Sequence, residues 1–111
     1  EDSFALTIEA LNISHDNIPA RYSLGEAFPN PFNPTTKISY ELPSTEFVSI
    51  DIYNLMGGHI KSLVSMNQDP GHRTIEWNAT NDSNQPVSAG MYIYTIQAGE
   101  FMQTKKMVLL K

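Results

Sequence analysis

The side chains that could do chemistry in this chain are scattered rather than gathered. His15, His59 and His72 stand singly, with no His-x-His spacing and no paired carboxylates. A metal centre needs ligands that converge on one point, and this spacing gives none. The chain contains no cysteine, so it has no thiol nucleophile, thiolate ligand or disulfide. Its serines lie in no Gly-x-Ser-x-Gly elbow and in no partnered Ser/His/Asp context. Gly57-Gly58 lacks the lysine and the helix that a phosphate-cradling loop requires. Asn78-Ala79-Thr80-Asn81-Asp82-Ser83-Asn84 is rich in oxygen. It offers one carboxylate, however, and lacks the turn glycine and closing glutamate of a calcium loop. A polar turn is expected there, and the chain as a whole is expected to have no catalytic residue, metal or cofactor.

The remaining chemical features are surfaces. Trp77, Tyr92 and Tyr94 could stack on sugar rings, as aromatics do on many β-sandwich modules. Trp77 lies in phase with Ile75, which predicts a core position instead. Tyr92 and Tyr94 share one face of a strand whose other face carries Met91 and Ile93. Three of the seven basic residues, Lys105, Lys106 and Lys111, fall in the last seven positions. They are either solvated side chains that guard an edge strand or a docking patch for an acidic partner. The net charge of −5 argues against nucleic acid as a partner. No apolar run approaches the ~20 residues of a membrane span, and the N-terminus is no signal peptide. Residue 1 is therefore expected to lie inside a longer protein.

The elements that must position these residues read as β throughout. Residues 3–13 alternate, with Phe4, Leu6 and Ile8 on one face, and predict a strand. Ser14 to Ala20, with Pro19, reads as a linker. The compact part starts at Tyr22-Ser23-Leu24. Pro29-Asn30-Pro31-Phe32-Asn33-Pro34 is the most constrained backbone, because each proline fixes its φ and keeps the preceding residue extended. It predicts a stiff corner, with Phe28 and Phe32 plugging into the core. Lys37 to Leu42 turns Ile38, Tyr40 and Leu42 inward; Phe47 to Tyr53 does the same with Val48, Ile50 and Ile52. Gly57-Gly58 marks a hairpin into Ile60–Val64. Asp69-Pro70-Gly71 precedes Arg73–Asn78, with Ile75 and Trp77 inward. Asn78 to Pro86 is the longest loop. Gly90 precedes Met91–Ala98, Gly99-Glu100 makes a tight turn, and Phe101–Leu110 is the last strand. Seven strands result if a short one near Val87 is included. Spacing of roughly ten residues with turn chemistry between strands predicts an all-β, immunoglobulin-like antiparallel sandwich over residues 22–111. An extended segment, 1–21, precedes it as linker or as the end of an upstream cargo.

The motifs in this series resemble a known family. Tyr22-Ser23-Leu24, Phe28 and Pro29 to Pro34, running on through Lys37-Ile38-Ser39-Tyr40-Glu41-Leu42-Pro43, look like the start of the type A C-terminal sorting domain of the bacterial type IX secretion system. Ile52-Tyr53-Asn54-Leu55-Met56-Gly57 is similar to its second strand and glycine turn. Gly71 to Trp77 resembles its central Gly-x-x-x-x-x-Trp element, and Ser88-Ala89-Gly90-Met91-Tyr92-Ile93-Tyr94 its Ser-Gly-x-Tyr-x-Tyr strand. Lys105-Lys106-Met107-Val108-Leu109-Leu110-Lys111 matches the terminal motif. The chain departs from the pattern at Ala89, inserted between serine and glycine, and at Asn84, where many members carry glycine. The flagellar hook-capping protein shares the fold but not the proline-rich opening or the basic end.

The resemblance implies a secretion signal rather than an enzyme. It implies transit through the periplasm and an outer-membrane translocon that reads the last strand, Phe101–Lys111, an edge strand with exposed backbone. It implies a sortase-like peptidase that cuts within Ile13–Ala20, and an upstream cargo in cis, carried to the cell surface or medium. The alternative is a carbohydrate-binding or spacer sandwich of a secreted hydrolase. Exposed aromatics on one sheet would favour that reading; a buried Trp77 and Tyr92 would count against it.

Overall fold

The computed structural model describes residues 18–110. The strand expected at 3–13, His15, most of the expected linker and Lys111 lie outside the described residues. Seven strands follow: β1 (Ser23–Leu24), β2 (Thr36–Leu42), β3 (Glu46–Asn54), β4 (His59–Gln68), β5 (Gly71–Trp77), β6 (Gly90–Ala98) and β7 (Phe101–Leu109). They form a three-stranded sheet, β1-β2-β5, and a four-stranded sheet, β4-β3-β6-β7, with every pairing antiparallel. The chain crosses between the sheets after β2, after β4 and after β5, the connectivity of an immunoglobulin-like sandwich.

The two-residue period builds the core. Ile38, Tyr40 and Leu42 of β2, Val48, Ile50 and Ile52 of β3, and Tyr92, Tyr94 and Ile96 of β6 all point between the sheets and are buried. Met107 and Leu109 of β7 and Trp77 of β5 complete the layer. The solvent face of the small sheet is a ladder of polar cross-strand pairs: Lys37 with Glu76, Ser39 with Thr74, Glu41 with His72. The Ser39 and Thr74 hydroxyls lie 3.2 Å apart, and His72 Nδ1 lies 2.8 Å from a Glu41 carboxylate oxygen. Such pairs favour this register over a one-residue slip, which would turn the core residues outward.

Three expectations change. The seventh strand is β1, not a segment near Val87, where one bridge of Thr80 with Pro86 takes the place of a ladder. β1 is too short to show alternation and is held by pairing of Ser23 with Glu41 and Leu24 with Tyr40. β4 runs on to Gln68 because Ser65–Gln68 stay paired with Glu46–Ser49. Phe28 does not plug into the core: it is 78% exposed, and Phe32 alone of the two is buried.

Candidate recognition site at the last strand

β7 lies at an edge of the large sheet, as its sequence position suggested, but much of that edge is already occupied. The Phe32 N–H donates to the Val108 carbonyl at 2.9 Å, and the Leu110 N–H donates to the Phe32 carbonyl at 2.8 Å. Asn30 extends the pairing through its side chain: Oδ1 accepts the Val108 N–H at 2.9 Å, and Nδ2 reaches the Lys106 carbonyl at 3.5 Å. The proline corner thus works as a short parallel strand that closes the end of β7. The expectation of an edge strand with open backbone is corrected for Lys106–Leu110 alone, where the corner satisfies backbone groups that an edge would otherwise offer to another chain. Thr36 fixes the corner from the other side; its buried hydroxyl donates to the Pro29 carbonyl at 2.7 Å.

Phe32 anchors the corner in the core. Its ring sits 5.7 Å from Trp77, and Trp77 sits 5.3 Å from Tyr92 in an edge-on contact, both favourable aromatic geometries. Each polar tip in this cluster finds a partner. The Trp77 indole N–H donates to the Thr80 carbonyl at 2.9 Å, and the Tyr92 hydroxyl to the Ser88 carbonyl at 2.6 Å. The latter is the tyrosine corner of immunoglobulin-like folds. The Tyr94 hydroxyl accepts from the Ala27 N–H and donates to the Gly25 carbonyl, both at 2.8 Å. It thereby pins the segment between β1 and the proline corner. Burial pushes the Tyr94 phenol up to about 12, and nearby Glu26 adds to the shift while the Ala27 bond opposes it. Burial likewise raises Tyr92, and raises Tyr40 against the opposing effects of Gln68 and Arg73. With Trp77 and Tyr92 buried, the aromatic platform that a sugar-binding sheet would need is not formed by these residues.

The terminal motif divides by face. Met107 and Leu109 are core residues, whereas Lys106, Val108 and Leu110 point to the outer side of the large sheet, Lys106 and Leu110 exposed and Val108 half-buried. The Lys105 ammonium is 2.9 Å from a Glu26 carboxylate oxygen, so it ties β7 to the segment after β1. Gly57 takes φ +88° in the β3–β4 turn and Gly90 takes φ +147° at the start of β6. Both are left-handed backbone positions where a side chain would be strained. Asn84, standing where the family pattern has glycine, has φ 64°. Asparagine is one of the few residues that tolerates that region.

One cluster was not legible in the sequence. His59 Nε2 lies 3.0 Å from Asp51 Oδ1, His59 Nδ1 lies 3.5 Å from Asp82 Oδ2, and the Ser62 hydroxyl donates to Asp51 at 2.7 Å. Serine, histidine and acid are together, but Ser62 and Asp51 both face the same ring nitrogen, His59 Nε2, at 3.2 and 3.0 Å, and not opposite nitrogens as a serine–histidine–acid relay has them. The cluster instead clamps the 78–86 loop onto β4. Asp82 accepts the Ser62 N–H and donates its own N–H to the Ile60 carbonyl, both at 3.0 Å. Asn81 Oδ1 accepts the N–H groups of Ser83 and Gln85. These oxygens of the loop are engaged by its own fold, and no group of three metal-ligating side chains converges among the described residues.

The described residues thus form a seven-stranded antiparallel sandwich whose last strand is closed at its C-terminal end by the proline corner. Residues 26–110 match the model of the secretion system C-terminal sorting domain, and the chain belongs to that family. Such domains are the C-terminal secretion signals of type IX cargo, are normally non-catalytic, and imply export to the cell surface or extracellular space. The fold is similar to part of dimeric latent PorU from Porphyromonas gingivalis, with 19% identity, a TM-score of 0.63, and coverage of 83% of this chain but 10% of that one. It is also similar to part of PorZ, a surface component of the type IX secretion system of the same organism, with 14% identity, a TM-score of 0.52, and coverage of 81% and 11%. The chain therefore spans about a tenth of either structure. No curated protein matches it by sequence.

Proposed function

We propose that residues 22–111 form the address that carries an upstream cargo, attached in cis, through the periplasm and the outer-membrane translocon of the type IX system. The family match over 26–110 carries this reading. Recognition falls on the last strand, Lys105 to Lys111, and its geometry refines how. The corner holds the outer backbone edge at Val108 and Leu110 and reaches the Lys106 carbonyl, so the partner reads the outward side chains of these residues instead of adding a strand there. Met107, Leu109 and the Glu26-paired Lys105 serve the fold that presents them. The domain itself has no catalytic role. Release by a sortase-like peptidase falls in 13–20, ahead of Tyr22, whose ring stacks 5.3 Å from Phe101 and whose hydroxyl donates to Glu46.

The test is export of a periplasmic reporter fused to residues 1–111 in a bacterium with a working type IX system. Reporter in the medium or on the surface supports the address. Retention in the periplasm with the domain folded refutes it. Deleting Lys105–Lys111 would remove two core side chains and confuse unfolding with loss of the signal. Lys106→Glu combined with Leu110→Glu leaves the core intact and is expected to abolish export.

A further inference from the structure

The outer face of the large sheet changes character along its length. Across its middle most cross-strand neighbours are polar: Ser65, Ser49 and Gln97, with Met102 at the β7 end, in one row, and Ser62, Asp51, Thr95 and Thr104 in the next. The Thr95 and Thr104 hydroxyls lie 2.9 Å apart. This is the composition expected of a sheet face turned to water. Toward the end that holds the terminal motif the rows become apolar. Tyr53, Ile93 and Lys106 are neighbours, and beyond them Met91 pairs with Val108. Leu55 and Met56 project from the β3–β4 turn, and Met56 is 90% exposed. Beside this strip lies a cleft of about 440 Å³ walled by Leu55, Ile60, Val87, Ala89 and Met91, with Tyr92 also lining it. The corresponding cleft at the other end, lined by Glu46, Phe47, Ser49, Gln97 and Gly99, is smaller, at about 360 Å³.

We propose that this cleft and strip are the docking surface for the receptor of the sorting signal, a protein partner that inserts one apolar side chain beside Met91 and sets an acidic side chain against Lys106. The inference rests on the sorting reading and deepens it. Three observations support a protein occupant of this chemistry. At its C-terminal end, beside this strip, the backbone edge of β7 is taken by the corner, which leaves side chains to be read there. The cleft volume suits a buried anchor residue, and interfaces are dominated by such anchors in pockets. The charge is complementary: among the described residues, Lys105 is paired with Glu26 while Lys106 has no ion pair, and no acid stands in the Tyr53 and Met91 rows. A lipid surface fits less well, because it favours several basic residues around a protruding apolar face rather than one lysine beside a concave one.

The test uses the full chain, 1–111, behind a periplasmic reporter. Leu55→Glu with Met91→Glu charges the cleft at two side chains outside the core; Phe47→Glu with Met102→Glu does the same at the opposite end. The cleft pair is expected to lower exported reporter tenfold or more, and the control pair to change it less than twofold. Export of the cleft pair at the wild-type level overturns the docking surface while leaving the address intact. Periplasmic retention of the wild-type fusion overturns the address itself. A photo-crosslinker at Met56 separates folding from docking: an adduct with an outer-membrane component of the translocon supports the surface. A lipid adduct, or none during active export, refutes it.

Discussion

Asn30 and Asn33 occupy equivalent places in a Pro-Asn-Pro-Phe-Asn-Pro corner, yet the structure gives them unequal work. Asn30 Oδ1 accepts the Val108 N–H at 2.9 Å, and its Nδ2 reaches the Lys106 carbonyl at the 3.5 Å limit. Asn33 is exposed, and its side chain makes no hydrogen bond among the described residues. Replacing Asn30 by alanine removes one good bond and one marginal one. A neutral bond of this kind contributes about 1 kcal/mol net, and the cost rises toward about 2 kcal/mol if the corner keeps water from the freed N–H. For a domain of this size each kcal/mol moves the melting temperature by about 4–8 °C. Asn30→Ala is therefore expected to melt at least about 4 °C below wild type, and its Val108 amide to exchange faster with solvent. Asn30→Asp keeps the acceptor and should recover most of the loss; Asn33→Ala should lie within about 0.5 kcal/mol of wild type, as surface substitutions do. The assay is a calorimetric melt paired with amide hydrogen exchange at Val108. An Asn30→Ala domain that melts within about 1 °C of wild type, with Val108 equally protected, would refute the idea that the corner seals the last strand.

Phe32→Ala removes a fully buried ring from beside Trp77 and is expected to cost about 3–5 kcal/mol, read as unfolding at a much lower urea concentration. Tyr94→Phe leaves the Ala27 N–H and the Gly25 carbonyl without their shared partner and should cost about 1–3 kcal/mol, the range for buried groups left unsatisfied. Because the folded-state value of Tyr94 lies at about 12, above its ordinary 10.0, the folded protein holds this proton longer than the unfolded one. Its contribution is complete below pH 10 and is lost as pH rises from about 10 toward 12, by up to about 1.4 kcal/mol per pH unit. A pH series of urea melts should show that decline, shallower in Tyr94→Phe; an unchanged slope in the variant would contradict the assignment. Asn84→Gly should be neutral to slightly stabilising at its φ of 64°, whereas Asn84→Val should cost about 1–2 kcal/mol, measured by the same melts.

The strands β2, β3, β5, β6 and β7 were legible because their apolar residues alternate and turn residues stop them. What stayed hidden depends on the partner rather than on the segment. β1 consists of two residues ordered by Tyr40 and Glu41 opposite them. The end of β4, Ser65-Met66-Asn67-Gln68, carries no alternation of its own and is a strand because β3 runs beside it. The His59 cluster joins β3, β4 and a loop across two register shifts, which no local spacing encodes. At the site, the motifs pointed to the right strand but not to its state. Sequence offered an edge, while the residue that closes it lies 78 positions away.

The same arrangement decides how the domain bears a load. Tyr22 sits beside Phe101 and Glu46, at the opposite end of the sandwich from Leu110, which meets Phe32. A pull on the last strand, resisted by whatever is joined ahead of Tyr22, therefore runs along the strands. The bonds from β7 to β6 and to the corner are then sheared together rather than peeled one at a time. A strand attached in that way yields only when many bonds fail at once, so a handle of this geometry can be tugged hard while its fold stays whole.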